Sequence, residues 1–281
     1  MEIMDIIKEA FIFPSQNLEK LAIYIALTFL LGFLTVIGVV GFAMGVTKTD
    51  FSMIALIIGI IVSVIALVLG FIITGYQISI LKSGIDLDDE APSFVWDDNL
   101  VTGIKMLVVG IVYMIIPAII VLIVGLITNI PGQFMEIIQN NAATSANATA
   151  IAAGSAPVLN GIPEATMAAF MGSITITVII AVIVFIIFAF LEAMGESRLA
   201  NTGSLGEALN IVEAYRDITR IGIGKVIAVL VLVIVVVAVI TGILGYIYGE
   251  IPQLSILSII VTPYLAFFTQ RAKGLLYSDI A

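Results

Sequence analysis

Apolar residues run through six stretches of this chain, at 21–45, 51–76, 106–128, 171–191, 226–248 and 254–269, and none of the six contains a lysine, arginine, aspartate or glutamate. Runs of about 20 residues without polar periodicity predict helices that are apolar on every side and long enough to cross about 30 Å of hydrocarbon. The sixth run is the shortest. Its apolar pattern continues helically toward Arg271, which predicts a crossing rather than a re-entrant segment. The expected fold class is all-α, a polytopic membrane helical bundle of six transmembrane helices in a single membrane domain over 1–281.

The polar stretches between the runs predict the organisation. Runs two, four and six each pass into a short extension with a basic residue followed by glycine, at Gly84, Gly203 and Gly274. A glycine suits a left-handed helix terminator, and a basic side chain suits the negative end of the helix dipole. The connections from Gly84 to Lys105 and from Gly203 to Lys225 are nearly equal in length. An acidic–alanine pair precedes each odd-numbered run, as Glu9-Ala10, Glu90-Ala91 and Glu213-Ala214. Three hairpins follow from this spacing, each preceded by an amphipathic interfacial helix.

Within these segments Pro92 fits a first helical turn, Trp96 fits headgroup depth, and Ser204 with Glu207 matches a capping box. Small residues at every fourth position (Gly41 and Gly45; Ala55, Gly59 and Ser63; Ala238 and Gly242; Gly245 and Gly249) predict close packing of helix backbones. The connection 129–170 differs from the rest. Its Ala/Asn/Ser/Thr-rich centre predicts a flexible outer loop, and Asn147-Ala148-Thr149 matches the N-glycosylation acceptor pattern.

Charge sets the orientation. Ten of the eleven basic residues fall in the N-terminal segment, the second and fourth connections and the tail, leaving Lys48 alone on the other side. The bias predicts both termini in the cytoplasm of a multi-pass cell-membrane protein, with the interfacial helices on the cytoplasmic side. The first apolar run is too long for a secretory leader and is expected to stay in the protein. The net charge of −9 and the absence of a basic groove argue against a nucleic-acid partner.

Composition narrows the chemistry. Hydrophobic residues make up 61% of the chain and charged residues 11%, and cysteine and histidine are absent. Thiolate nucleophiles, imidazole bases and metal centres on those ligands are thereby excluded, so no enzyme activity, metal or cofactor is expected.

Several motifs are similar to those of a known family: Gly75-Tyr76 at a helix end, Lys82 with Gly84, Pro92-Ser93-Phe94 with Trp96, Gly103 before Lys105, the pattern around Gly203 and Ala208, and the early Phe13-Pro14. Together they resemble the family known as domain of unknown function 4013. The resemblance implies an archaeal, multipass membrane protein, and no activity comes with it.

Charged residues inside membrane spans usually mark ion or proton pathways, and here the spans have none. Glu192, at the end of the fourth run, comes nearest. The acids Asp86, Asp88, Asp89 and Glu90 lack the spacing of a calcium loop and read as a solvated acidic segment. Pro117 and Pro263 interrupt two spans, and such interruptions can mark a transport site. With Tyr113, Glu192, Thr262 and Tyr264 they form the candidate site. The reading is a transport-like or lipid-handling protein whose partner is the lipid bilayer. The alternative is a membrane scaffold or partner subunit that binds a protein at its cytoplasmic face through its amphipathic helices.

Overall fold

The structure is a computed structural model that describes residues 1–47, 52–148 and 163–281, with 141–148 described by backbone alone. Among the described residues every regular element is helical: α1 (Ile3–Gln16), α2 (Leu18–Gly45), α3 (Ser52–Ile85), α4 (Trp96–Ile127), α5 (Ile130–Ala148), α6 (Glu164–Thr202), α7 (Leu205–Ala208), α8 (Ile211–Ile221), α9 (Ile223–Glu250) and α10 (Ser258–Tyr277), with a 3₁₀ segment, Pro252–Leu257, before α10. Six helical stretches are long and apolar enough to cross a membrane, the sixth running from Pro252 to Tyr277. The protein is a membrane protein. Phe29, Phe33, Val36, Ile57, Ile61 and many like them point outward, a surface that only hydrocarbon covers without penalty.

The chain forms two compact units, Met1–Ile111 with Phe190–Ala281, and Val112–Ala189, so the division falls within α4 and α6. In the larger unit α2 and α3 pack antiparallel through small residues. Gly38 faces Ser63, Gly41 faces Gly59 and Gly45 faces Leu56, each so close that a Cβ on the glycine would meet its neighbour within 3.0 Å. The small-residue rows on these two helices therefore do what their spacing predicts. On α9 they do not, because Gly242, Gly245 and Gly249 have no neighbour within 4 Å among the described residues.

Two further crossings use glycine on α3. A Cβ on Gly75 would strike the carbonyl of Asn99 in α4, and one on Gly103 would strike the carbonyl of Phe71 in return. A Cβ on Gly84 would lie 2.8 Å from the carbonyl oxygen of Arg271 and 2.9 Å from the Cα of Gly274 in α10. Gly84 and Gly274 were expected to terminate helices, yet both lie inside them, since α3 runs to Ile85 and α10 to Tyr277. Their lack of a side chain serves the contact between α3 and α10. Of the three glycines expected to end helices only Gly203 has the left-handed conformation, with φ of 67°, just past the end of α6.

Other local expectations shift. Pro92 does not open a helix: α4 begins at Trp96 and continues unbroken into the apolar run, so this segment is no separate interfacial helix. The Pro92 carbonyl accepts a hydrogen bond from the Tyr76 hydroxyl at 3.0 Å, which holds the segment extended. Ser204 caps α7 by accepting from the Glu207 N–H, but the Glu207 carboxylate turns to Arg198 rather than back to the cap. In the smaller unit α5 occupies 130–148, where a flexible loop was expected, and 149–162 lie outside the described residues. Asn147 falls in the last turn of α5, while Thr149 of its acceptor pattern is outside that description.

The charged connections gather at one end of the larger unit, at the starts of α2, α4 and α9 and the ends of α3, α6 and α10. Lys105 donates to the Gly203 carbonyl at 2.8 Å, and Lys273 pairs with Glu196 at 2.6 Å. Arg198 binds Asp217 at 2.8 Å and also pairs with Glu207, tying α6 to α7 and α8. Asp217 is 1% exposed and accepts further bonds from Tyr277 at 3.0 Å and Arg220 at 3.1 Å. The alanines of all three acidic–alanine pairs, Ala10, Ala91 and Ala214, are buried.

The Asp279 carboxylate joins the Lys225 ammonium and the Met1 amino group, bringing the chain ends together. Partial burial pushes the Asp279 carboxyl up, and the two ammonium groups outweigh that effect and hold it below its ordinary value. A lowered folded pKa stabilises above the unfolded value, about 3.9, and that contribution disappears as pH falls through the folded value. Measured as protection relative to the intrinsic exchange rate at each pH, the backbone of residues 278–281 should accordingly be protected at neutral pH and lose that protection below about pH 3.9. Asp279→Asn should show little protection at either pH.

Candidate functional site

A groove of about 590 Å³ runs along α2 and is completed by α3 and α10. Four positions on one stripe of α2, Tyr24, Thr28, Gly32 and Val36, form its length, with Phe29 and Phe33 on its flank. They recur every fourth residue because the helix repeats every 3.6, and from Tyr24 to Val36 the rise is about 18 Å. Phe29, Phe33 and Val36 are exposed, so the groove is open along its side.

One end of the groove is polar. The Gln77 side-chain amide of α3 donates to the Tyr24 hydroxyl at 2.6 Å. Tyr24 is held by two rings, with Phe267 at 5.2 Å edge-on and Tyr76 at 6.0 Å. This aromatic cluster extends through Phe94, 4.6 Å from Tyr76, to Trp96. The Thr28 hydroxyl lies 2.9 Å from the carbonyls of both Tyr24 and Ile25, so its one hydrogen is taken up within α2.

The α10 wall comes from Ser258, Ile259, Thr262, Pro263 and Ala266. Pro263 has no N–H, so the Ile259 carbonyl one turn earlier lacks its helical donor. Both residues line the groove. Two of the six sequence candidates, Thr262 and Pro263, therefore belong to it.

The other candidates lie elsewhere. Tyr264 turns to α1, donating to the Phe11 carbonyl at 2.6 Å with the two rings edge-on at 5.6 Å. Glu192 sits on α6 beside α4, its Oε1 3.6 Å from where a Gly110 Cβ would be, one turn from the Glu196–Lys273 pair. Tyr113 and Pro117 are buried residues of α4 in the smaller unit. That unit has its own polar contacts, with Ser173 donating to the Thr128 carbonyl at 3.0 Å and the Thr128 and Thr177 hydroxyls 3.4 Å apart.

Three residues that matter to the larger unit escape the sequence reading. Asn17, at the α1–α2 junction, donates to the carbonyls of Phe13 and Asp89 at 3.0 Å and accepts from the Ala91 N–H at 2.7 Å, which pins the acidic segment. Gln77 was visible only as one amide in a nearly apolar stretch. Arg271, read as a dipole partner at a helix end, is fully buried. It donates to the Ser83 carbonyl at 2.8 Å, to Glu9 at 2.7 Å and to the Asp88 carbonyl, with its guanidinium 4.4 Å from the centre of the Phe13 ring.

Among the described residues no group of three or more acidic side chains is placed to hold a metal ion. A family model described as "Protein of unknown function (DUF4013)" matches residues 58–249. No curated protein and no solved structure matches the chain.

Proposed function

The chain belongs to the DUF4013 family, whose description carries no activity, and we propose that it is a lipid-handling membrane protein that seats one acyl chain in the groove between α2, α3 and α10. The observation that carries this reading is the match of the groove to one leaflet. Its length of about 18 Å is slightly more than half of a 30 Å hydrocarbon core. Its walls are mostly apolar, its side is open, and the hydrogen-bonded pair Tyr24 and Gln77 forms a polar group at one end, while the Ser258 hydroxyl in the α10 wall is satisfied by the Ser255 carbonyl. An aqueous solute would gain little from such walls. A lipid tail gains burial along the whole length and leaves its polar group beside Tyr24 and Gln77.

The polar end of the groove adjoins the basic end of the unit, so the positive-inside rule assigns the lipid to the cytoplasmic leaflet of the cell membrane, with both termini in the cytoplasm. No step of this reading is catalytic.

Gly32 provides the test. Nothing lies within 4 Å of a Cβ placed there, so Gly32→Phe fills the groove without straining the helix. Native mass spectrometry of the wild-type protein released from membranes should show one retained lipid, and Gly32→Phe should lose it. Gly70→Phe, at an equally open position of α3 outside the groove, should keep it. Equal lipid retention by Gly32→Phe and wild type would defeat the reading and leave the scaffold alternative, for which the exposed Val212 and Tyr215 of α8 offer a surface.

A further inference from the structure

A separate apolar groove, of about 480 Å³, lies between α1 and α9. Lys8, Phe11 and Ile12 form one wall, and Val235, Val239 and Ile240 form the other. The two helices run in the same direction, since Lys225 at the start of α9 donates to the Met1 carbonyl at 2.6 Å while 7–12 lie beside 235–240. One face of α1, with Ile6, Ala10 and Phe13, is buried in the larger unit. The other, with Met4, Lys8, Phe11 and Ile12 at helical spacing, is exposed, and so are Val235 and Val239. The groove therefore opens to the hydrocarbon beside α9.

Lys8 is the charge at this groove. Among the described residues it is the one basic side chain that makes no hydrogen bond or ion pair, whereas Lys20, Lys82, Lys105, Lys225, Lys273 and every arginine have partners. The acids nearest in sequence do not serve it. Glu9 is held by Arg271 at 2.7 Å, and Asp5 forms no ion pair. Helical side chains lean toward the helix N-terminus, so Lys8 leans toward Met1 and the charged end of the unit. Its hydrocarbon stem lines the groove and its ammonium reaches out to headgroup depth.

We propose that the α1–α9 groove is a binding site for an anionic phospholipid, whose phosphate pairs with Lys8 and whose acyl chain lies against Phe11, Ile12, Val235 and Val239. A free ammonium above an apolar channel matches both halves of such a molecule. A second copy of the chain does not, because its six apolar runs hold no acid to bring to Lys8. The net charge of −9 repels anionic lipid as a whole, so a preference for it must come from a local contact. The site shares no lining residue with the groove between α2, α3 and α10 and does not depend on what that groove holds. One lysine near the surface is worth about a fivefold preference, too little to retain the lipid once the protein leaves the membrane.

Trp96 is the only tryptophan, so Trp96→Phe clears the background for a reporter. Ile243→Trp places one at an exposed position of α9, one turn beyond Val239 at the inner end of the groove. This double variant is reconstituted into vesicles that mix phosphatidylcholine with phosphatidylglycerol, with bromine on the acyl chains of one lipid or the other, and quenching of the reporter gives their relative affinity. Phosphatidylglycerol should be preferred by about fivefold. Adding Lys8→Gln, at an exposed position that folding tolerates, should bring the ratio to about one, and Lys8→Arg should restore it. Lys20→Gln, which removes an equal charge at the start of α2, should leave the preference intact. The proposal fails if the two lipids quench equally in the parent, if the preference survives Lys8→Gln, or if Lys20→Gln abolishes it as fully. A reporter that neither lipid quenches would show the groove covered by protein, and would overturn it as well.

Discussion

Replacing Arg271 with methionine should destabilise the protein by about 3 kcal/mol, measured as the shift of its unfolding midpoint in detergent. The value sits at the low end for breaking a buried ion pair because Glu9 keeps 35% of its side chain exposed and can rehydrate when its partner is gone. Most of the loss comes from carbonyls. Ser83 and Asp88 lose their donor in a setting that water does not easily reach, and the Phe13 ring loses the cation above it. Arg271→Lys should recover only part of the stability, since a single ammonium cannot span Glu9 and both carbonyls as the guanidinium fork does. If lysine and methionine prove equally harmful, geometry rather than charge governs the site. If neither is harmful, the burial of Arg271 contributes nothing.

Gly75→Ala and Gly103→Ala should each destabilise by about 2–3 kcal/mol, a large effect for one methyl group. In both cases the new carbon would coincide with a backbone carbonyl of the facing helix, and no rotamer change can move a backbone. The helices must separate, and once separated they accommodate both methyl groups. The double mutant should therefore cost clearly less than the two single changes combined. Gly70→Ala on the same helix is the matched control. Its Cβ would meet nothing within 4 Å, and alanine favours the helix, so it should be neutral or stabilising. Full additivity of Gly75→Ala and Gly103→Ala would show that the two glycines do not share one crossing.

These positions also show how much the sequence could disclose. The six spans were legible because hydrocarbon imposes length and apolarity on every crossing helix, and the close packing of Gly41 with Gly59 followed from four-residue spacing. What a glycine does cannot be read from its neighbours alone. Gly84, Gly203 and Gly274 share one local pattern, yet only Gly203 ends a helix, because the other two are fixed by the approach of α10 to α3, a contact between distant segments. The candidate site was partly legible for a similar reason. Thr262 and Pro263 were found through the proline, which disturbs its own helix. Tyr24 and Gln77 meet across 53 positions of sequence, and no local pattern announces that meeting. Tyr264, adjacent to Pro263, faces away because successive helical residues point about 100° apart.

The buried guanidinium has a consequence for how the protein is made. Arg271 follows Ser83 by 188 positions and Glu9 by 262, so its acceptors are synthesised long before their donor. A nascent chain that has already inserted α2 and α3 holds an unfilled socket until α10 leaves the ribosome. During that interval the Ser83 and Asp88 carbonyls depend on water, and the glycine face of α3 at Gly84 is uncovered. Final closure of the charged end is thus a late event that waits for the last helix, and chains truncated before Arg271 should stay open to proteolysis around residues 86–90.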